Sequence, residues 1–256
     1  MNNAIFNFED PKNEVVLNYE PQSNERLKLQ KELERQSSQK IEIPLIIGGK
    51  EIRTGKIANV VMPHDHKHII ATYHMATEKE IKLAISESLK AREQWSDLSW
   101  VVRSSILLKA ADLLSMQYRP LINAATMLGQ SKNAYQAEID SACETIDFLR
   151  YNAYFASKIY SNQPKSGFNQ LNRMEYRSLE GFVLTVSPFN FTAIASNLNM
   201  APVLMGNTTV WKPATTSILS NYYLMQIFKE AGLPDGVINF VPGSGSLIGG
   251  IALNDK

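Results

Sequence analysis

The chain has 256 residues, 44% of them hydrophobic, enough to bury a sizeable core in one large domain or two modest ones. Its 26 Lys plus Arg against 25 Asp plus Glu leave a net charge of +1, without the long-range field that nucleic acid or an acidic membrane calls for, so small-molecule chemistry is the better expectation. A lone cysteine excludes an internal disulfide, no apolar stretch reaches bilayer length, and no charged region followed by an apolar one opens the chain, which together fit a soluble protein of a reducing compartment.

Residues 1–44 are polar and charged around a helical pattern near 23–39 and read as an N-terminal extension. Leu45-Ile46-Ile47-Gly48-Gly49-Lys50-Glu51-Ile52 predicts a hairpin turning on the glycine pair, and the structured part is expected to begin there. His64, His66 and His68 alternate, as a one-faced metal site on a strand would need, but a polar edge or loop explains them more simply and no metal is expected. Thr77 with Glu80 forms a capping box, and Ile81, Ala84, Ile85 and Leu89 follow at helical spacing. Trp95 and Trp100, near a helix junction, read as packing anchors.

Further helical patterns cover about 101–116, 121–128 and 133–159, the last with Ile139, Cys143 and Ile146 on one stripe. On that stripe Cys143 reads as a small buried hydrophobe, with neither a helix start nor a cation to lower its pKa, and not as a nucleophile. From about residue 173 the character changes. Gly181-Phe182-Val183-Leu184-Thr185-Val186, Asn207-Thr208-Thr209-Val210-Trp211 and Gly236-Val237-Ile238-Asn239-Phe240-Val241 predict short buried strands separated by helices. The fold class is therefore α/β: a helical N-terminal part followed by a Rossmann-type parallel sheet, whose ligands bind outside the carboxyl ends of the strands.

Those ends read Ser187-Pro188-Phe189-Asn190-Phe191, Lys212-Pro213-Ala214-Thr215 and Pro242-Gly243-Ser244-Gly245. The third approaches a dinucleotide fingerprint, but with Gly249 it is one residue too long, and a glycine-rich turn into a helix accounts for it equally well. Lys212 could be a solvated lysine, Asn190 could serve a turn, and Phe189 and Phe191 could be core.

The pairing of Ser187-Pro188-Phe189-Asn190-Phe191 with Trp211-Lys212-Pro213 resembles the oxyanion-asparagine and cofactor-lysine motifs of the aldehyde dehydrogenase superfamily. Gln136-Ala137-Glu138-Ile139-Asp140, Leu108-Lys109-Ala110-Ala111-Asp112 and Ala201-Pro202-Val203-Leu204-Met205-Gly206-Asn207 narrow the resemblance to its L-glutamate γ-semialdehyde (1-pyrroline-5-carboxylate) branch, from about Leu45 onward. The resemblance implies an enzyme of proline breakdown in which a cysteine thiolate attacks the aldehyde, a hydride passes to NAD, and a glutamate-activated water releases L-glutamate. It implies that residues 45–256 are the first part of the cofactor-binding domain, an incomplete Rossmann-type sheet of the aldehyde dehydrogenase kind, and that the catalytic cysteine lies beyond Lys256. A truncated, non-catalytic NAD-binding or interaction protein is the alternative.

By the same resemblance Asn190 donates its amide to the oxyanion, and Lys212 holds the adenosine ribose. Ser187, Pro188 and Phe189 line the cofactor at the first strand end, and Gly243 and Gly245 border the adenine pocket. Phe191 stands in the aldehyde channel, and Glu138 lies on a helix near the substrate pocket, although a solvated helical glutamate is an equal reading. Thr215 occupies the position where many members carry a glutamate that disfavours a 2′-phosphate, so NAD over NADP rests on the branch alone. The resemblance further implies a homo-oligomeric full-length enzyme with a small aldehyde substrate and neither nucleic-acid nor membrane partners. The cytoplasm of a bacterium is the expected location, or the mitochondrial matrix of a eukaryote, although no clear transit peptide is seen.

Overall fold

The structure, a computed structural model, describes residues 8–255, so the first seven residues of the N-terminal extension lie outside the described residues. Helix α1 (Asn24–Ser38) is capped by Ser23, whose side chain accepts from the Arg26 N–H. Strands β1 (Ile41–Ile43), β4 (Ile57–Met62) and β5 (Asp65–His74) form one sheet in the order β1-β5-β4, with β1 parallel and β4 antiparallel to β5. The chain is thus ordered well before the Leu45 hairpin, contrary to the sequence expectation. A polar segment can be built in when a few residues anchor it, and here Tyr19 and Leu29 pack with Ala124 while Glu14 pairs with Arg119 and Arg150.

Strands β2 (Leu45–Ile47) and β3 (Lys50–Ile52) make the expected hairpin, turning on Gly48 and Gly49 at φ 55° and 74°. Two successive left-handed residues match the turn twist to the strand twist, and only glycine adopts them without strain. A Cβ on Gly49 would also lie 2.0 Å from the Asp235 carboxyl group.

Helix α2 (Glu78–Asp97) begins at the Thr77–Glu80 capping box, with the Thr77 N–H donating to Glu80 Oε2 at 3.0 Å. Helix α3 (Trp100–Leu113) runs into a π-helical turn at Leu114–Tyr118 and then α4 (Arg119–Gln130). The pattern at 133–159 is three pieces: α5 (Ala134–Ala137), a π-helical segment at Glu138–Cys143, and α6 (Glu144–Ser161). The π segment shifts the helical phase. Ile139 consequently leaves the buried stripe, Cys143 and Ile146 stay on it, and Glu138 turns inward.

Strands β6 (Val183–Val186), β7 (Thr209–Lys212) and β8 (Ile238–Phe240) are parallel, as expected, and alternate with α7 (Thr192–Leu204), α8 (Ile218–Ala231) and α9 (Gly245–Ala252). The sheet is mixed, because β2 adds antiparallel to β8 through Ile46↔Phe240, giving the order β3-β2-β8-β7-β6. Side chains alternate across it. Ile46, Trp211, Ile238 and Phe240 face the large core with α3, α6, α7 and α8, while Leu45, Ile47, Val210 and Val241 face α2 and α9. Trp95 is fully buried with its indole N–H on the Val203 carbonyl, and Trp100 stacks on Tyr160. Among the described residues no helix is long and apolar enough to cross a membrane.

Candidate active site

The carboxyl ends of β6 and β7 lie side by side, with Val186 in register with Lys212. Beneath them, Asn199 on α7 ties the layer together: its Oδ1 accepts from Thr185 Oγ1 on β6 (2.7 Å) and Thr209 Oγ1 on β7 (2.9 Å). The residues that follow β6 form a loop into α7, anchored at both ends. At its start Ser187 N–H donates to the Lys212 carbonyl, and Ser187 Oγ accepts from the Trp211 indole N–H at 3.0 Å. Farther on, Ser217 Oγ donates to the Pro188 carbonyl at 3.4 Å. At its end Thr192 Oγ1 meets Thr126 Oγ1 (2.9 Å), Gln130 Nε2 (2.7 Å) and Ser220 Oγ (2.9 Å) in a buried polar knot between α4, α7 and α8.

Between these anchors the chain presents Phe189, 66% exposed, and Asn190, also exposed. Among the described residues no hydrogen bond uses the Asn190 side chain, so its amide is available to a ligand. Its carbonyl accepts from Lys132 Nζ, and the same ammonium pairs with Asp140 and lies 4.2 Å from the centre of the half-buried Phe191 ring. Glu144, one helical turn beyond Asp140, is half-buried; burial, with Asp140 adding to it, raises its carboxyl above the usual range. Sequence reading missed both Lys132 and Glu144, because nothing local distinguishes them from solvated helix-end charges.

Lys212 sits at the end of β7, half-buried, and no ion pair or side-chain hydrogen bond engages it among the described residues. Burial pushes its ammonium below the ordinary lysine value. Thr215 is exposed two residues beyond the adjoining Pro213, at the start of a 3₁₀ turn. At the third strand end Gly243 lets the chain approach closely, since a Cβ there would be 3.3 Å from the Ala76 nitrogen. Gly245 opens α9, and a Cβ on it would meet nothing within 4 Å. Ser244 and Ser246 flank it with hydroxyls 2.9 Å apart, at a helix start whose free N–H groups suit an anionic group.

Ser187 is 5% exposed and its Oγ accepts from the Trp211 indole N–H, which braces the strand end. Two sequence expectations change here. Glu138 is neither solvated nor open to a substrate: it is 0% exposed, and its carboxylate accepts from Tyr19 Oη (2.6 Å), Leu17 N–H (2.8 Å), Asn123 Nδ2 (2.8 Å) and the Arg119 guanidinium. Burial works to raise its pKa, but the hydrogen bonds from Arg119, Tyr19 and Leu17 outweigh it and hold the carboxyl below its ordinary value. Cys143 does have a cationic neighbour, with Arg119 Nη2 3.3 Å from its Sγ. Burial and the adjacent Glu138 charge nonetheless push the thiol up to about 12, so it is no thiolate at neutral pH. His64 Nδ1 contacts Ser131 Oγ and His68 Nε2 the Ser37 carbonyl, and the described residues contain no cluster of three or more metal-ligating groups.

Residues 51–256 match the model of the aldehyde dehydrogenase family. A mitochondrial Δ1-pyrroline-5-carboxylate dehydrogenase of Dictyostelium discoideum is 46% identical over 254 residues, covering 99% of this chain and 46% of that protein. The human protein of the same name is 44% identical, covering 93% and 42%. The crystal structure of the Δ-pyrroline-5-carboxylate dehydrogenase from Mycobacterium tuberculosis bound with NAD superposes with a TM-score of 0.97 at 46% identity, covering 99% of this chain and 48% of that one. A 1-pyrroline-5-carboxylate dehydrogenase from Thermus with bound NAD gives 0.86 at 30% identity, covering 96% and 48%. The chain thus spans about half the length of the relatives it matches, and the similarity is not confined to residues after Leu45.

Proposed function

The chain belongs to the aldehyde dehydrogenase family, and on that premise we propose that the protein carrying these residues oxidises L-glutamate γ-semialdehyde, the open form of 1-pyrroline-5-carboxylate, to L-glutamate with NAD. One observation carries the reading: adjoining strand ends hold a half-buried, unpaired Lys212 and an exposed, unpaired Asn190 amide, two groups prepared for partners that the described residues do not supply.

NAD fits this surface. Lys212 donates to the ribose hydroxyls, the glycine backbone at Gly243 and Gly245 borders the adenine, and Phe189 covers the cofactor where it leaves the sheet. Thr215, neutral and exposed, offers no charge against a 2′-phosphate, so the preference for NAD draws on the NAD-bound relatives. NAD supplies the hydride acceptor. Asn190 N–H donates to the aldehyde oxygen as it gains negative charge; an amide stays neutral at every working pH, whereas a carboxylate would repel that charge. Phe191 forms an apolar wall of the aldehyde channel and excludes water.

The nucleophile is not supplied by Cys143, the one cysteine in these 256 residues, since it is buried and protonated. The second reading is that the polypeptide binds NAD without chemistry. We place the protein in the cytoplasm of a bacterium or the mitochondrial matrix of a eukaryote, and as a homo-oligomer; the Dictyostelium and human relatives are named as mitochondrial. The test is NADH formation by the protein, purified at its natural length, from 1-pyrroline-5-carboxylate, with NAD affinity titrated in parallel. Turnover supports the first reading, NAD binding without turnover the second, and neither signal refutes both.

A further inference from the structure

We infer that Lys132, held by Asp140, is the positioning residue for Asn190, fixing the main chain from which its amide reaches the aldehyde oxygen; the inference rests on the oxyanion reading of that asparagine. The loop that carries Asn190 is tied down at Ser187, Pro188 and Thr192 but, among the described residues, the only hydrogen bond to Asn190 itself comes from the Lys132 ammonium to its main-chain carbonyl. Holding that carbonyl fixes the plane of the peptide that joins Asn190 to Phe191, and with it the position of the Asn190 Cα from which the amide projects.

Lys132 is suited to this because its own freedom has been removed. Its side chain is only 14% exposed, and the ammonium is committed three ways, to the Asp140 carboxylate, to the Asn190 carbonyl and to the Phe191 ring. A single charge thus engages both the main chain that carries the amide donor and the neighbouring aromatic ring.

Two backbone irregularities bring the pair together. Helix α4 ends on Ser131 in the left-handed conformation, φ 55°, which turns the chain so that Lys132 leads away toward the loop after β6. Asp140 stands in the π-helical segment Glu138–Cys143, two residues past the inward-facing Glu138, and reaches Lys132 from the other side of that segment. Both features carry a cost in backbone regularity, and both serve the same contact.

The test is a double-mutant cycle on kcat in the complete protein, with Lys132→Met, Asn190→Ala and the double variant, and KM for NAD measured alongside. Misplacing a reacting group costs tenfold or more, so Lys132→Met alone should lower kcat at least about tenfold with KM for NAD unchanged. In the Asn190→Ala background, with no amide left to aim, the same change should cost less than about twofold. Equal losses in both backgrounds, or no loss in the single variant, overturn the positioning role while leaving the oxyanion role of Asn190 intact. Wild-type kcat in Asn190→Ala overturns both together. If Lys132→Met does not fold, Asp140→Asn, which keeps the lysine and removes only the charge that holds it, carries the same comparison, and additive effects there overturn the inference equally.

Discussion

Replacing Asn190 with alanine separates chemistry from folding. The side chain is exposed and makes no hydrogen bond among the described residues, so its loss breaks no internal hydrogen bond. The loop is held through main-chain atoms, by Lys132 on the Asn190 carbonyl and by Ser217 on the Pro188 carbonyl, and these bonds survive the substitution. Stability should therefore move by no more than about 0.5 kcal/mol, the usual range for a surface change. Turnover should respond far more strongly. Removing one oxyanion donor typically costs on the order of 10²–10³ in rate, about 2.7–4 kcal/mol of barrier, because the amide is worth more against the developing charge than against the ground-state carbonyl. Asn190→Asp should be at least as harmful: its carboxylate opposes the oxyanion, and the nearby Lys132 ammonium keeps it ionised. The assay is steady-state NADH formation from 1-pyrroline-5-carboxylate by the complete protein, with thermal melting and NAD titration as controls. Near wild-type kcat in a folded alanine variant would refute the oxyanion assignment.

Lys212→Ala should weaken NAD binding while leaving kcat at saturating NAD largely intact, since the ammonium is assigned to the ribose and not to the reacting carbon. Burial lowers the Lys212 pKa, so the wild-type protein should lose NAD affinity at alkaline pH earlier than an ordinary lysine would allow. That pH dependence should be absent from the alanine variant, and titration across the alkaline range checks both. Glu138→Ala leaves Arg119 with Glu14 as its remaining carboxylate and removes the acceptor shared by Tyr19, Leu17 and Asn123, so it should destabilise the fold by up to about 3–5 kcal/mol, read from urea unfolding. Because Glu138 and Glu14 are held below their ordinary values, the stability they contribute is fully present above the unfolded carboxylate pKa of about 4.3 and is lost as pH falls through their folded values. Acid unfolding of the variant should therefore be shallower than that of the wild type. Cys143, with its thiol raised to about 12, should resist alkylation at about pH 8 in the native protein and react once unfolded; rapid native labelling would contradict its burial.

Local signals were legible wherever one short segment contained the whole physical cause. The Thr77–Glu80 box supplies its own donors and acceptors, the Gly48–Gly49 pair its own turn geometry, and the runs ending at Val186, Lys212 and Phe240 their own strand propensity, so each could be read without knowing its neighbours. The motif around Asn190 and Lys212 was legible for the same reason: both sit directly at strand ends, where the chain order dictates their place. Tertiary structure alone decided whatever depends on partners distant in sequence. The hairpin joins the parallel strands because Ile46 pairs with Phe240 and Gly48 N–H finds Asn239 Oδ1, 191 residues away. No periodicity encodes that choice, since an exposed and a paired sheet edge have the same alternation. The N-terminal segment became part of the core through Glu14, Tyr19 and Arg119, charges and a phenol that composition marks as solvated. Glu138 and Cys143 were misjudged in opposite ways, one as open and the other as without a cation, because a π-helical segment shifted the helical phase and brought Arg119 against both. A regular 3.6-residue wheel cannot anticipate that shift, and the energy that sustains it lies in hydrogen bonds across the core and not in the segment itself.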